Sequence, residues 1–467
     1  MSEASNKKAL KASFFYVICS FLVKGVGFIT TPFFSRILTQ EEYGYISNFN
    51  SWLSIITIIA SLSLIASLIR ARFDFENDYY SYISSILVLG FSFTVFCFFV
   101  IFGRLSFFES LFSLDKKYII LMGLTVLAQP AYEIFLQNQR FVYKYKLVSI
   151  MTVTMTLCSV VLSFVFIYLF EDNAWGKTLG GHLPMIIVSF GIYIYYFVRS
   201  IKINLRYCKY ALLISLPYIF HLLSSVILGS SDRAMITHFC GLQANAVYSM
   251  AYNIGMIVNV IWMAFNQAFA PWLGERLHEK DHKLIKQVSV YYLLIFSFIV
   301  VGMLLFSPEA LLILGGERYH DSLKLIPPVM MAYVIVFVDS LYVNILQFEK
   351  KTFGMACATV SSAMANLILN YIFIPRYGYA AAAYTTVAGY CVLLIIDYFL
   401  VRKIRLDNVY NSRYVLLSIT GLIVFSFLTL FLYRYNVTRY VCMIIYIVVF
   451  GRLIWKYREI ILNVFRK

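Results

Sequence analysis

Apolar positions in this chain neither alternate nor keep to one helical face. They run for about twenty residues or more at a stretch, the length a helix needs to cross a hydrocarbon core roughly 30 Å thick, and short polar connections separate the runs. The pattern predicts fourteen spans, at 13–35, 45–69, 82–103, 117–139, 147–170, 178–198, 210–235, 246–274, 288–314, 324–348, 353–375, 377–401, 412–433 and 436–456. A helix satisfies its own backbone hydrogen bonds in lipid, and apolar residues right round the segment suit a lipid surround better than a one-sided soluble packing. Hydrophobic residues make up 61% of the 467 positions and charged ones 13%. Almost no connection is long enough for a domain of its own. The expectation is an all-α, multi-pass membrane protein.

Charge orients it. With a cytoplasmic N-terminus, the inward set includes Lys7, Lys8 and Lys11, then Arg70 and Arg72, then Arg140, Lys144 and Lys146, then Arg199, Lys202, Arg206 and Lys209. These and later inward groups hold most of the 39 Lys and Arg, whereas outward loops carry scattered cations such as Arg104, Lys177 and Arg434. The bias predicts both termini in the cytoplasm. The net charge of +16 is then a topology signal and a contact for anionic membrane lipid, with no nucleic-acid partner implied. The first apolar stretch is too long for a signal-peptide core and is expected to stay as a helix. The eight cysteines fall mostly in spans and have no metal-ligand spacing, so neither a disulfide framework nor a metal site is expected.

The chain resembles itself at an offset of about 200 residues. Arg36-Ile37-Leu38-Thr39 and Gly44-Tyr45-Ile46-Ser47 are echoed by Arg233-Ala234-Met235-Ile236-Thr237 and Val247-Tyr248-Ser249. Tyr118 matches Tyr319, Leu136-Gln137 matches Leu346-Gln347, and Trp175-Gly176-Lys177 matches Tyr377-Gly378-Tyr379, all in order. Six helices per repeat keep the same orientation, so the repeats are parallel, as in transporters whose path lies between two rocking halves. This predicts a first lobe at 1–209, a second at 210–405 and an added helix pair at 406–467.

Ser35-Arg36-Ile37-Leu38-Thr39, Glu41-Glu42-Tyr43-Gly44, Arg70-Ala71-Arg72-Phe73-Asp74, Ser231-Asp232-Arg233-Ala234, Phe269-Ala270-Pro271-Trp272, Gly316-Glu317-Arg318-Tyr319 and Gly378-Tyr379-Ala380 carry a further resemblance. The chain resembles the Wzx-type lipid-linked oligosaccharide flippases of the multidrug/oligosaccharidyl-lipid/polysaccharide exporter (MOP) superfamily. The resemblance implies two six-helix bundles in a V, like the MATE transporters, with two C-terminal helices added. It also implies a bacterial plasma-membrane location, a polyprenyl-pyrophosphate-linked oligosaccharide as cargo, and other polysaccharide-assembly membrane proteins as companions.

Ionisable residues within spans cost about 2.5–3.5 kcal/mol on insertion scales and so demand a reason. Lys24, beside Gly25 and Gly27, is a candidate for the pyrophosphate; pairing with a buried carboxylate or snorkelling is its structural alternative. Arg36 and Arg233, matched across the repeat, offer planar forks to phosphate or sugar, or else mark helix ends, with Asp232 as a local partner for Arg233. The same offset carries Lys24 onto His221, a candidate titrating partner or a neutral hydrogen-bonded histidine. Glu133 and Asp339 are candidates for Na⁺ or H⁺ coupling or for neutralising Lys24, with no other cofactor expected. Asp397, five residues before Arg402, reads as half of an ion pair. Asn266 and Gln267, close to Pro271, are candidates for sugar contacts on a segment loosened by proline; helix–helix hydrogen bonding is the alternative.

Other classes fit the sequence less well. The acidic run Asp74-Phe75-Glu76-Asn77-Asp78 is the one feature suggesting metal-dependent sugar chemistry, and no catalytic motif accompanies it. A membrane polysaccharide polymerase should carry a long outward loop, which is missing here. A lipid II flippase and a MATE-type drug/cation antiporter remain transporter alternatives; cationic candidates and two extra helices point away from the antiporter.

Overall fold

The first helix, α1 (22–37), ends against a signal that starts the second. Thr39 accepts from the Glu42 N–H at 3.1 Å, and the Glu42 carboxylate accepts from the Thr39 N–H at 2.7 Å. This capping box satisfies two otherwise orphaned donors and sets α2 (Gln40–Ala60) going. The computed structural model describes Cys19 and residues 22–142, 144–199 and 203–465, without the side chains at 69, 73, 217, 218, 221, 268 and 453–465. The chain continues as α3 (Leu68–Asp74), α4 (Tyr79–Gly103), α5 (Leu105–Phe112), α6 (Lys116–Phe141), α7 (Tyr145–Leu169), α8 (Asn173–Arg199) and α9 (Leu205–Cys240). It then forms α10 (Leu242–His278), α11 (His282–Leu305), α12 (Ser307–Leu314), α13 (Ile326–Phe348), α14 (Thr352–Tyr377), α15 (Ala380–Lys403), α16 (Ser412–Leu432) and α17 (Asn436–Phe465).

No strand occurs among the described residues. Ten described helices are long and apolar enough to cross a membrane: α4, α6, α7, α8, α10, α11, α13, α14, α15 and α16. Of the other four predicted spans, those at 45–69, 210–235 and 436–456 fall on α2, α9 and α17, and the one at 13–35 falls on α1 from residue 22, its start lying mostly outside the described residues; these four helices are outside that set. Two predicted spans prove too long. The one at 45–69 stops at Ala60, where Leu62 and Ser63 take φ of 51° and 47°, a left-handed conformation no continuing helix can hold. The one at 288–314 breaks at Phe306 between α11 and α12.

The chain groups into two compact units, Met1–Ser249 with Leu367–Tyr379, and Met250–Asn366 with Ala380–Lys467. These follow packing, whereas the lobes expected at 1–209 and 210–405 follow the repeat; α9 falls in the first unit.

In the first unit one apolar cluster joins α3, α4, α6 and α8 through Leu68, Tyr82, Ile86, Ile134 and Tyr196. A second, around Phe49, Phe112, Tyr118 and Met122, joins α2, α5 and α6. α7 and α8 meet through glycine. A Cβ on Gly176 would stand 2.5 Å from the Phe166 carbonyl oxygen, and one on Gly180 2.4 Å from the Ser163 nitrogen. Glycines four apart let two helix backbones touch, the usual way to gain packing where lipid supplies no hydrophobic drive. The loop between these helices is tied by Asp172, which accepts from Lys117 Nζ at 2.6 Å and from the Trp175 N–H at 2.9 Å. Burial pushes the Asp172 carboxyl up, but these donors outweigh it and hold it below the ordinary carboxylate range. α7 buries only Val148, Ser163 and Ile167 and leaves Ile150, Val161, Val165 and Tyr168 exposed, an apolar face suited to lipid.

The second unit is built round α13, buried almost from end to end. Phe337 on α13 stacks on Phe296 of α11 at 3.7 Å between ring centroids. α17 is fastened by Arg439, which donates to both Glu309 carboxylate oxygens at 2.6 and 2.7 Å and to the Leu305 carbonyl at 3.0 Å. That carbonyl lies at the open end of α11, so one guanidinium completes an ion pair and a helix terminus together.

Candidate transport site

The two cations on α1 stand apart from its packed face. Lys24 is exposed, and a Cβ on Gly25 or Gly27 would meet nothing within 4 Å. Among the described residues no other backbone packs against either glycine. Thr30 and Thr31 instead both donate to the Gly27 carbonyl, at 3.1 and 2.8 Å, a type of back-bonding that bends helices. Arg36 is also exposed and donates to its own helix at the Pro32 carbonyl, 3.1 Å away.

Arg233 is half-buried on α9. Its neighbour Asp232 is only 1% exposed and accepts from the Tyr248 hydroxyl at 2.7 Å and the Asn370 amide at 2.5 Å. This carboxylate thus accepts from donors on α10 and α14, all within the first unit. One matched pair of the repeat also meets there, Ser47 and Ser249 sharing a 2.6 Å hydrogen bond, and nearby Asn245 donates to the Gly44 carbonyl at 2.9 Å. Only glycine fits at 44, since a Cβ would lie 1.9 Å from the Leu242 carbonyl oxygen.

Glu133 accepts from Gln129 at 2.6 Å, beside Pro130. It borders a cavity of ≈ 20 Å³ shared with Thr57, Ser61 and Ser63, about enough for one water. The His221 side chain lies outside the described residues. Two further groups escaped the sequence reading. Lys177, assigned there to an outward loop, stands in α8, with Nζ 4.9 Å from the centre of the Phe34 ring. It lines a cavity of ≈ 190 Å³ together with His182, Asn50, Ser159 and Thr178.

In the second unit Asn266 accepts from the Asn344 amide at 2.8 Å, a helix–helix hydrogen bond between α10 and α13. Gln267 is exposed, and α10 continues through Pro271 to His278. Asp339 on α13 and Asp397 on α15 are 4% and 1% exposed and lie within hydrogen-bonding reach of one another. Among the described residues no N–H or O–H donor reaches Oδ1 of either. Among the described residues no ion pair joins Asp397 to Arg402, so the pairing suggested by their spacing is replaced by a pair of acids. Two carboxyl groups can hydrogen-bond only when one carries a proton; a monovalent cation could satisfy the same oxygens. The acidic run at 74–78 is committed otherwise: Asp74 accepts from the Tyr210 hydroxyl at 2.5 Å and Asp78 from that of Tyr207 at 3.3 Å. Among the described residues no group of three or more metal-ligating side chains forms.

Buried polar clusters on apolar helices match what comparison with known proteins finds. The polysaccharide biosynthesis protein family profile matches residues 9–277, more than half of the chain. The chain belongs to that family. Within this family member, residues 217–372 also match the MatE family. An uncharacterized membrane protein, MJ1068, of Methanocaldococcus jannaschii is 24% identical over 460 residues, covering 89% of this chain and 88% of that one. A Haemophilus influenzae protein of the Lsg locus is 25% identical over 428 residues, 85% of this chain and 99% of its own.

Among solved structures, the fold is similar to the lipid II flippase MurJ in an inward closed conformation. The TM-score is 0.69 at 13% identity, over 96% of this chain and 99% of that one. It is also similar to an inward-facing multidrug resistance transporter of the MATE family, with TM-score 0.60 at 16% identity over 85% and 95% of the two chains. The fold is that of MOP-superfamily transporters.

Proposed function

We propose that the protein carries a polyprenyl-pyrophosphate-linked oligosaccharide from the cytoplasmic to the outer leaflet of a bacterial plasma membrane, for surface polysaccharide assembly. The observation that carries this reading is the polysaccharide biosynthesis family match over residues 9–277, joined to a transporter fold. Lys24, Arg36 and Arg233 are the cations we assign to the anionic head. Arginine offers a fork that fits phosphate oxygens in two contacts, and lysine a compact mobile charge. Asn266 and Gln267 are assigned to sugar hydroxyls. Exchange of access between the leaflets follows the rocking of two parallel repeats.

Coupling is assigned to Asp339 and Asp397, whose shared site takes up one proton or one Na⁺; Glu133 and His221 are the remaining titratable candidates. A drug/cation antiporter is the second reading, favoured by the MatE match and by this buried acidic pair.

Reconstituted vesicles test both. Cargo is loaded on one leaflet and its appearance on the other is followed with an impermeant glycosidase. Protein-dependent exposure, reduced about tenfold or more in Lys24→Ala and Arg233→Ala, is expected; loss of one charge-assisted contact corresponds to a factor of that order. Undiminished exposure in both variants would remove their assigned role. Extrusion of a cationic dye with no glycan exposure would replace the flippase reading by the antiporter.

A further inference from the structure

A cavity of ≈ 580 Å³ opens in the first unit where the ends of α3, α4, α6 and α8 come together, a volume in the range of small-ligand sites. Arg72, Lys144 and Arg199 all line it, and Glu76 offsets only part of their charge. Among the described residues none of the three cations forms an ion pair. Rings hold the guanidinium groups instead. Arg72 lies over Phe141 at 5.3 Å, and Arg199 lies over Tyr195 at 4.4 Å while donating to the Tyr80 hydroxyl at 3.0 Å. Stacking of this kind positions the cation and leaves its remaining N–H edges available to an oxyanion.

Two neutral groups point to the same ligand. Tyr79 and Gln139, 8% and 7% exposed, also line the cavity, and among the described residues the buried Tyr79 hydroxyl and Gln139 Oε1 have no hydrogen-bond partner. Buried polar atoms are normally satisfied. A hydroxyl donates readily to a phosphate oxygen, and the Gln139 amide does so when turned end for end, since its oxygen and nitrogen are assigned and not seen. All three cations fall in the loops and helix ends that the charge bias places on the cytoplasmic side, next to an anionic leaflet.

We propose that this cavity binds the phosphate group of an anionic membrane lipid. Lys24, Arg36 and Arg233 are not among its lining residues, and it does not depend on which cargo the protein carries. Purified full-length protein would be titrated with dioctanoyl phosphatidylglycerol, with dioctanoyl phosphatidylcholine and with inorganic pyrophosphate, reading occupancy by native mass spectrometry and melting temperature. Saturable binding of phosphatidylglycerol over phosphatidylcholine is expected. It should weaken by roughly tenfold or more in Arg72→Gln/Arg199→Gln, as loss of charge-assisted contacts predicts, and stay unchanged in the control Arg434→Gln. Pyrophosphate competing as well as the lipid would uphold the phosphate chemistry and assign it to the head group alone; no competition would mean that the acyl chains contribute. Equal binding of both lipids, or unchanged binding in the double variant, overturns the proposal. If the double variant fails to fold, Tyr79→Phe decides: it should weaken phosphatidylglycerol binding without lowering the lipid-free melting temperature, and unchanged binding overturns the proposal.

Discussion

Arg439 illustrates how far a residue's identity is from its role. By its place in the chain it is one of several cations in outward loops, yet it is 2% exposed and grips Glu309 with both arms. Removing one partner of a buried pair costs about 3–5 kcal/mol, because the other charge is left unpaired. Glu309 keeps about a third of its side chain in contact with solvent, which places the loss at the low end. Arg439→Met should therefore lower the melting temperature clearly, and adding Glu309→Gln should restore part of it. A double variant no more stable than the single one would mean that the Leu305 carbonyl contact dominates. The candidate transport residues show the same limit. Lys24, Glu133 and Asp339 were legible because charge inside an apolar run is conspicuous. The partner of Asp339 was not, since Asp397 lies on another helix and a cation five residues along suggested a different pairing. Lys177 and His182 were missed because a lysine at the edge of an apolar run reads equally well as loop.

At the scale of elements, long helices were readable because lipid demands them and the apolar runs are unbroken. Their ends and pairings depend on smaller signals. The spacing of Gly176 and Gly180 stands in the sequence as a small-residue motif, but which helix it faces is settled only by the contact with Phe166 and Ser163 on α7. Gly180→Leu should force α7 and α8 apart, at a cost of about 1–3 kcal/mol or more from overpacking. Gly191→Leu, on the same helix with nothing within 4 Å of its Cβ, should be tolerated. Melting temperatures and the yield of monodisperse protein in detergent compare the two; equal behaviour would exclude a tight α7–α8 seam. The break after Ala60 was not legible either. Nothing in Ser61-Leu62-Ser63 requires a left-handed turn, and packing has to impose it.

For the whole molecule, the proposed coupling site makes the sharpest demand. Asp339→Asn keeps the shape of the side chain and a hydrogen-bond donor to Asp397 but removes the exchangeable site. Folding and basal cargo movement should survive, while stimulation by a proton or Na⁺ gradient across the vesicle should disappear. Stimulation that persists in both Asp339→Asn and Asp397→Asn would leave the pair with a packing role. The order of apolar runs by itself determined an all-helical, multi-pass membrane protein, because transfer into lipid is a local property summed along the chain. Tertiary structure decided which buried polar groups face one another: Asp232 with Tyr248 and Asn370, Asp339 with Asp397, and three cations round one cavity. Such neighbours come from helices far apart in sequence, and hydropathy carries no record of which face of one helix meets which face of another.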